Sequence, residues 1–199
     1  TERDLWLKIR TKCESGRRTG IGITAEGDML AALGVRYGSE NSLDFCENLH
    51  RTLALSAYRG SVNLARERGP FPIYDTAREA QNPFIQRLRD ADPELYADMV
   101  KYGRRNIALL TIAPTGTTSL MTQTSSGLEP VFRVAYKRRR KVNPNDKNTR
   151  PTFTDELGDS WEDYHVFHIP FKKWLESKGF DPVQVENLPE AEWNHIVEQ

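Results

Sequence analysis

Cysteine is scarce: Cys13 and Cys46 are the only two in 199 residues. So few thiols exclude a disulfide framework and favour a reducing, cytoplasmic setting. As a pair they would be a redox couple; as idle thiols, which their helix-like contexts favour, they carry no chemistry. Long hydrophobic runs are also missing, since nothing approaches the roughly 20 apolar residues of a membrane span, and no basic-plus-apolar leader opens the chain. An excess of one charge is missing too: Lys plus Arg and Asp plus Glu number 28 each. No global field therefore draws the chain to nucleic acid or a membrane surface. There is no internal repeat and no low-complexity block. What remains, 38% hydrophobic and 28% charged residues, is an ordinary globular composition long enough to bury a core.

The periodicity that is present is mostly helical. Leu5, Trp6, Ile9 and Cys13 share one face at spacings of three and four, which predicts an amphipathic helix over 1–14. Thr19 to Ala25 reads as a strand or a glycine-loosened loop, Glu26 to Leu33 as a short helix, and Gly34 as its stop. From Ser42, as N-cap, to about Arg68 runs the strongest helical signal, with Leu43, Cys46, Leu49, Leu53, Ala57 and Leu64 along one side. "NPFIQRLRD" and "DPELYADMVKYG" predict two short helices, the second opened by Asp92-Pro93 and closed by Gly103. "RRNIALLTIAP" is the best candidate for a buried strand, and "LEPVFRVAY", residues 128–136, for a second extended segment. Residues 142–160, rich in Asn, Pro and Asp, predict a mobile polar loop. "YHVFHIPFKKWLESKGF" predicts a strand and a helix, and "LPEAEWNHIVEQ" a last helix. A helix at the very start and no stop signal at the end suggest a piece excised from a larger chain. A long helix followed by a strand points to α/β organisation.

Past the apolar run lies Pro114-Thr115-Gly116-Thr117-Thr118-Ser119. In α/β proteins, ligands bind outside the carboxyl ends of strands, and a helix N-terminus there offers free amides to phosphate. Pro114 directs the exit, Gly116 lets the backbone approach an anion, and the amides of Thr117, Thr118 and Ser119 would face it. No Gly-Lys-Ser/Thr follows, so this is not a γ-phosphoryl-transfer loop. The plainer reading is a strand-to-helix turn.

"LLTIAPTGTTSLMTQTSSGLEPVF", with "EPVFRVAYKRRR" continuing it, resembles the substrate-phosphate loop and adjoining segment of the ribonucleotide reductase large catalytic subunit, most closely the adenosylcobalamin-dependent class. "RRTGIGITAEGDMLAALGVRYGSE" and "YHVFHIPFKKWLESKGF" are similar to the segments before and after. The resemblance implies an α/β fold, the later part of a ten-stranded α/β barrel, with residues 1–199 as a single partial catalytic-barrel domain. It assigns substrate-phosphate binding to Pro114, Thr115, Gly116, Thr117 and Thr118. The family reduces the ribose 2'-hydroxyl using a thiyl radical on a finger-loop cysteine, two reducing cysteines, and an Asn and a Glu near the sugar. No "Asn-Leu-Cys-x-Glu" motif occurs here, and neither Cys13 nor Cys46 sits in a matching context. No catalytic residue is therefore assigned, and the chain alone is expected to be silent. For the full enzyme the resemblance implies adenosylcobalamin, a nucleoside di- or triphosphate substrate, the remainder of the barrel and a thiol reductant system. It leaves the diiron-dependent class open, because the phosphate loop is shared. The alternative is a stand-alone phosphate- or nucleotide-binding or assembly module without redox chemistry.

Other patterns carry less. "GIGITAEG" has Ala25 where a dinucleotide fingerprint needs its last glycine, and reads as a turn. His165 and His168 lie in an extended context without a third metal ligand. "KRRRK", residues 137–141, reads as a solvated strand end balanced by "DELGDSWED", whose carboxylates lack calcium-loop spacing. In a partial barrel, some of the apolar face from Leu43 to Leu64 would be left exposed.

Overall fold

A computed structural model describes residues 1–143, 145 and 148–198. In chain order the elements are α1 (Glu2–Gly16), α2 (Glu26–Ala32), α3 (Glu40–Arg68), α4 (Thr76–Ala80), α5 (Pro83–Ala91), α6 (Pro93–Tyr102), α7 (Gly116–Thr122), β1 (Ala135–Lys141), β2 (Phe153–Thr154), β3 (Ser160–Phe167), α8 (Ile169–Ser177), α9 (Pro182–Glu186) and α10 (Glu190–Glu198). The chain divides into two compact units: Thr1–Ile23 with Gly34–Ala113, and Thr24–Leu33 with Pro114–Gln199. Among the described residues no helix is long and apolar enough to cross a membrane.

The first unit is helical. Its core gathers Tyr58 and Val62 of α3, Ile85 and Leu88 of α5, and Leu95 and Met99 of α6, with Leu109 from the segment that follows. Local chemistry sets the boundaries. Asn82 caps α5 and Asp92 caps α6, each with proline in the first turn, and Gly103 ends α6 at φ 71°. The cap of α3 is Ser39, three residues before the expected Ser42. The Ser39 side chain accepts from the Ser42 amide, so Ser42 lies inside the first turn. The buried face of α3 is also not the expected one: Tyr58, Ser61, Val62 and Ala65 are buried, whereas Leu43 is 63% exposed. Packing against α6 selects the C-terminal half of this helix, while Cys46, Leu49, Leu53 and Ala57 of the other stripe are only half-buried.

The buried strand expected in "RRNIALLTIAP" is reduced to one isolated parallel bridge, Ile21 with Leu110. Its backbone is nonetheless bonded along one edge. The amides of Thr19 and Ile21 donate to Ala108 and Leu109, and those of Ile107 and Thr111 donate to Gly16 and Ile21. A ladder needs consecutive bridges, and none forms beyond this pair. Arg104, only 2% exposed, anchors the segment. It donates to Glu79 at 2.6 Å and to the carbonyls of Asn106 and Ile107, with its guanidinium over the rings of Tyr58 and Phe71.

The second unit is mixed. Its sheet has the order β1-β3-β2, with both pairings antiparallel and Arg139 opposite Asp163. Ala135, Phe167, Phe171, Leu175, Val185 and Trp193 form its core. The expected extended segment at 128–136 becomes strand only from Ala135, so the basic run is the body of β1 rather than its end. Cross-strand carboxylates hold it: Asp163 meets Lys137 and Arg139, Glu162 meets Arg140, and Asp159 meets Lys141. Within the stretch expected to be a polar loop, Phe153–Thr154 forms β2, and Asp155 accepts from the amides of Leu157 and Asp159 and from the Trp161 indole. Residues 144, 146 and 147 of that stretch lie outside the described residues.

Candidate functional site

The loop from Pro114 to Thr118 belongs to the second unit. Thr115 precedes α7 with φ 49° and ψ 25°, the left-handed region, and its side chain makes no cap bond to the helix. For a β-branched residue this conformation costs about 1–3 kcal/mol and persists only where the surroundings hold it. They do so through the hydroxyl. Thr115 Oγ1 accepts the Gly127 amide at 2.7 Å and lies 2.9 Å from Thr24 Oγ1, and Thr24 Oγ1 donates to the Ser125 carbonyl at 3.2 Å.

Reversing the chain at Thr115 sets the first turn of α7 outward. An α-helix has no internal acceptor for its first amides, and among the described residues nothing accepts those of Gly116, Thr117 and Thr118. All three residues are exposed. The Ser119 amide, expected to face the anion with them, instead donates to the Thr115 carbonyl at 2.8 Å. Its hydroxyl donates to the Gly116 carbonyl, and the residue is buried. Above Gly116 there is open space: a Cβ placed there would meet no atom within 4 Å. Three unopposed amides around an uncovered backbone can receive an anionic oxygen.

A second cluster lies beneath, built by the first turn of α2. Asp28 Oδ2 accepts the Ser125 amide at 2.7 Å, and its two oxygens lie 2.8 and 3.0 Å from His168 Nε2. An ionised carboxylate only accepts, so this nitrogen carries the proton. Gly27 allows the close approach, since a Cβ there would sit 2.5 Å from Pro130 Cα. The sequence pointed to "SSGLEP" as part of a signal, but it did not connect that segment to Thr24, Asp28 or His168. Thr24 and Asp28 stand 101 and 97 positions before Ser125, Asp28 and His168 are 140 positions apart, and the bonds between them have no local signature. An apolar cleft of about 590 Å³ borders Asp28 and His168 and runs along Phe171 and Trp174; the loop at Thr115–Thr118 does not line it.

The other candidates are placed plainly. His165 Nδ1 lies 3.0 Å from the Glu186 carbonyl, apart from the Asp28–His168 pair, and no cluster of three metal-ligating side chains occurs among the described residues. Cys13 is exposed and Cys46 half-buried, and neither forms a disulfide among the described residues. Gly20 and Gly22 lie against Thr111, where a Cβ at Gly22 would fall 2.4 Å from the Thr111 carbonyl oxygen. "GIGITAEG" is thus a close backbone crossing.

Comparison with known proteins gives the family. The family model for the ribonucleotide reductase barrel domain matches residues 5–195. A vitamin B12-dependent ribonucleoside-diphosphate reductase of Mycobacterium tuberculosis (strain CDC 1551 / Oshkosh) is 34% identical over 122 residues, covering 61% of this chain and 15% of that protein. One of Thermoplasma acidophilum is 30% identical over 131 residues, covering 66% of this chain and 15% of that protein. The ribonucleoside-diphosphate reductase subunit alpha of Helicobacter pylori (strain ATCC 700392 / 26695) is 25% identical over 205 residues, covering 94% of this chain and 21% of that protein. This chain thus spans about 15% of the length of the first two relatives. With a single family model running through both units, the chain belongs to the ribonucleotide reductase barrel-domain family.

Proposed function

We propose that this chain is a segment of a ribonucleoside-diphosphate reductase and that its loop from Pro114 to Thr118 holds the substrate's phosphates. The observation that carries the reading is the set of unopposed amides at Gly116, Thr117 and Thr118, in a chain matched from 5 to 195 by the barrel-domain family. Oxygens of a nucleoside diphosphate accept from these amides, and the Thr117 and Thr118 hydroxyls add neutral donors. Both units are read as one partial barrel domain, because one family model covers them. The remainder of the barrel and a thiol reductant complete the enzyme. Alone, the segment binds without turning over, since Cys13 and Cys46 are on separate helices and a radical deoxygenation needs thiols on both faces of the sugar.

Adenosylcobalamin is proposed for the whole enzyme from the relatives named as vitamin B12-dependent. It would supply the radical. The residues here do not fit it, because the imidazole that borders the cleft, His168, has its Nε2 held by Asp28. No step is routed through it. A cytoplasmic location follows from the same reading. A nucleic-acid partner is disfavoured by the basic strand, four of whose cations are paired with carboxylates of its own hairpin.

The test is titration of this chain with cytidine diphosphate, followed by the amide resonances of Gly116, Thr117 and Thr118. Gly116→Val suits it, because the added side chain meets open space rather than neighbouring atoms. The variant is expected to fold and to bind at least about tenfold more weakly, a loss of about 1.4 kcal/mol. Unchanged affinity would remove the loop from the site.

A further inference from the structure

The loop's shape is set from Thr24 and the start of α2, and the direction of its hydrogen bonds shows how. Thr24 has one hydroxyl proton, and the Ser125 carbonyl, which can only accept, lies 3.2 Å away and takes it. The 2.9 Å contact between the Thr24 and Thr115 hydroxyls is therefore donated by Thr115. Thr115 in turn accepts the Gly127 amide at 2.7 Å. Every proton is assigned in one direction: Gly127 amide to Thr115, Thr115 to Thr24, and Thr24 to the Ser125 carbonyl. Thr115 thus has no proton left for a ligand. Its hydroxyl faces inward and keeps its own backbone left-handed. In the first turn of α2, Asp28 fixes the other side of the same link by accepting the Ser125 amide at 2.7 Å while His168 braces the carboxylate at 2.8 Å. Asp28 and His168 are 13% and 15% exposed, so water competes little for these bonds.

We propose that Thr24 and Asp28 are positioning residues for the phosphate loop, acting through Thr115 and Ser125, and that Thr115 serves by its conformation and not by donating to phosphate. This rests on the phosphate-binding reading above and adds to it which residues shape the loop and which touch the ligand. The consequence is a specific pattern of coupling. If the Thr115 hydroxyl acts only through Thr24, removing both hydroxyls harms no more than removing either.

The experiment is a double-mutant cycle on this chain with cytidine diphosphate as the probe, measured by the same amide titration, with thermal melts confirming that each variant folds. Thr24→Val and Thr115→Val are each expected to weaken binding about tenfold, and the double variant also about tenfold, because the hydroxyls form one unit. Thr24→Ser keeps the hydroxyl and is expected to bind within about twofold of the parent. Thr115→Val removes the acceptor of the Gly127 amide and shifts that resonance strongly, and Thr24→Val, which removes only the acceptor of the Thr115 hydroxyl, shifts it less in the same direction, a pattern a general loosening would not single out. Asp28→Asn is an independent probe should Thr24→Val fail to fold, and it too weakens binding without touching Gly116–Thr118. The proposal is overturned if the double loss multiplies to about a hundredfold, which would put the Thr115 hydroxyl on the ligand. It is also overturned if Thr24→Ser is as weak as Thr24→Val. If Gly116→Val also binds normally, the phosphate reading itself falls; if Gly116→Val weakens binding and Thr24→Val and Asp28→Asn do not, only the positioning role falls.

Discussion

Two glycines of the second unit show how differently the same residue can be used. At Gly27 a Cβ would lie 2.5 Å from Pro130 Cα and 2.8 Å from the Glu129 carbonyl oxygen, so the first turn of α2 and the "SSGLEP" segment touch backbone to backbone. Gly27→Ala must push them apart, and we expect it to destabilise the fold by about 1–3 kcal/mol, read as a lower urea midpoint. Gly116→Ala meets open space and is expected to leave that midpoint unchanged. In the sequence one glycine stands between Glu26 and Asp28 and the other between Thr115 and Thr117, and neither setting announces the distant segment whose approach separates them. The same holds for the site as a whole. Pro114 to Thr118 was legible because glycine, proline and threonine after an apolar run have local meaning. Thr24, Asp28 and His168 were not legible, because their roles come from bonds to segments far along the chain.

Elements were legible where their ends are written in side chains. Asp92-Pro93 and Gly103 bound α6 as expected, and Asp92 is held below the usual carboxylate range by the Leu95 amide and by Arg59. The strand in "RRNIALLTIAP" was not, since apolarity marks burial, while a strand also needs neighbours along its edges. The hairpin of β1 and β3 gives the clearest dependence on pH. Hydrogen bonds from Arg139, then from Lys137, lower Asp163 from 3.8 to about 2. A carboxylate depressed on folding contributes stability that is fully present above its unfolded value and is lost as pH falls through the folded one. Protection of the hairpin amides is therefore expected to hold above pH 3.8 and to fall toward pH 2, as measured by hydrogen exchange. Asp163→Asn should flatten that transition. A hairpin unchanged across this window would show that the ion pairs do not hold it.

At the scale of the whole molecule, family and fold class were readable because three quoted segments preserve their order, while the architecture is less regular than the words α/β barrel suggest, with a three-stranded antiparallel sheet among the described residues. The face of α1 expected to be buried is open: Leu5 is 57% and Trp6 62% exposed. On α3, Leu43 is open as well. Apolar surface of this kind drives association. The chain is expected to self-associate with rising concentration in sedimentation velocity, and Trp6→Glu to reduce that association. A single monomeric species at every concentration would contradict this.

The basic strand has one more consequence. β1 lies at the margin of its sheet, with β3 on one side and no strand on the other among the described residues. An uncovered row of amides and carbonyls invites a further strand to dock and a fibril to grow. Five consecutive cations make that docking self-repelling, because two such strands side by side would place like charges against each other. The run read in the sequence as a solvated strand end thus discourages edge-to-edge strand docking, while its carboxylate neighbours hold the hairpin in register.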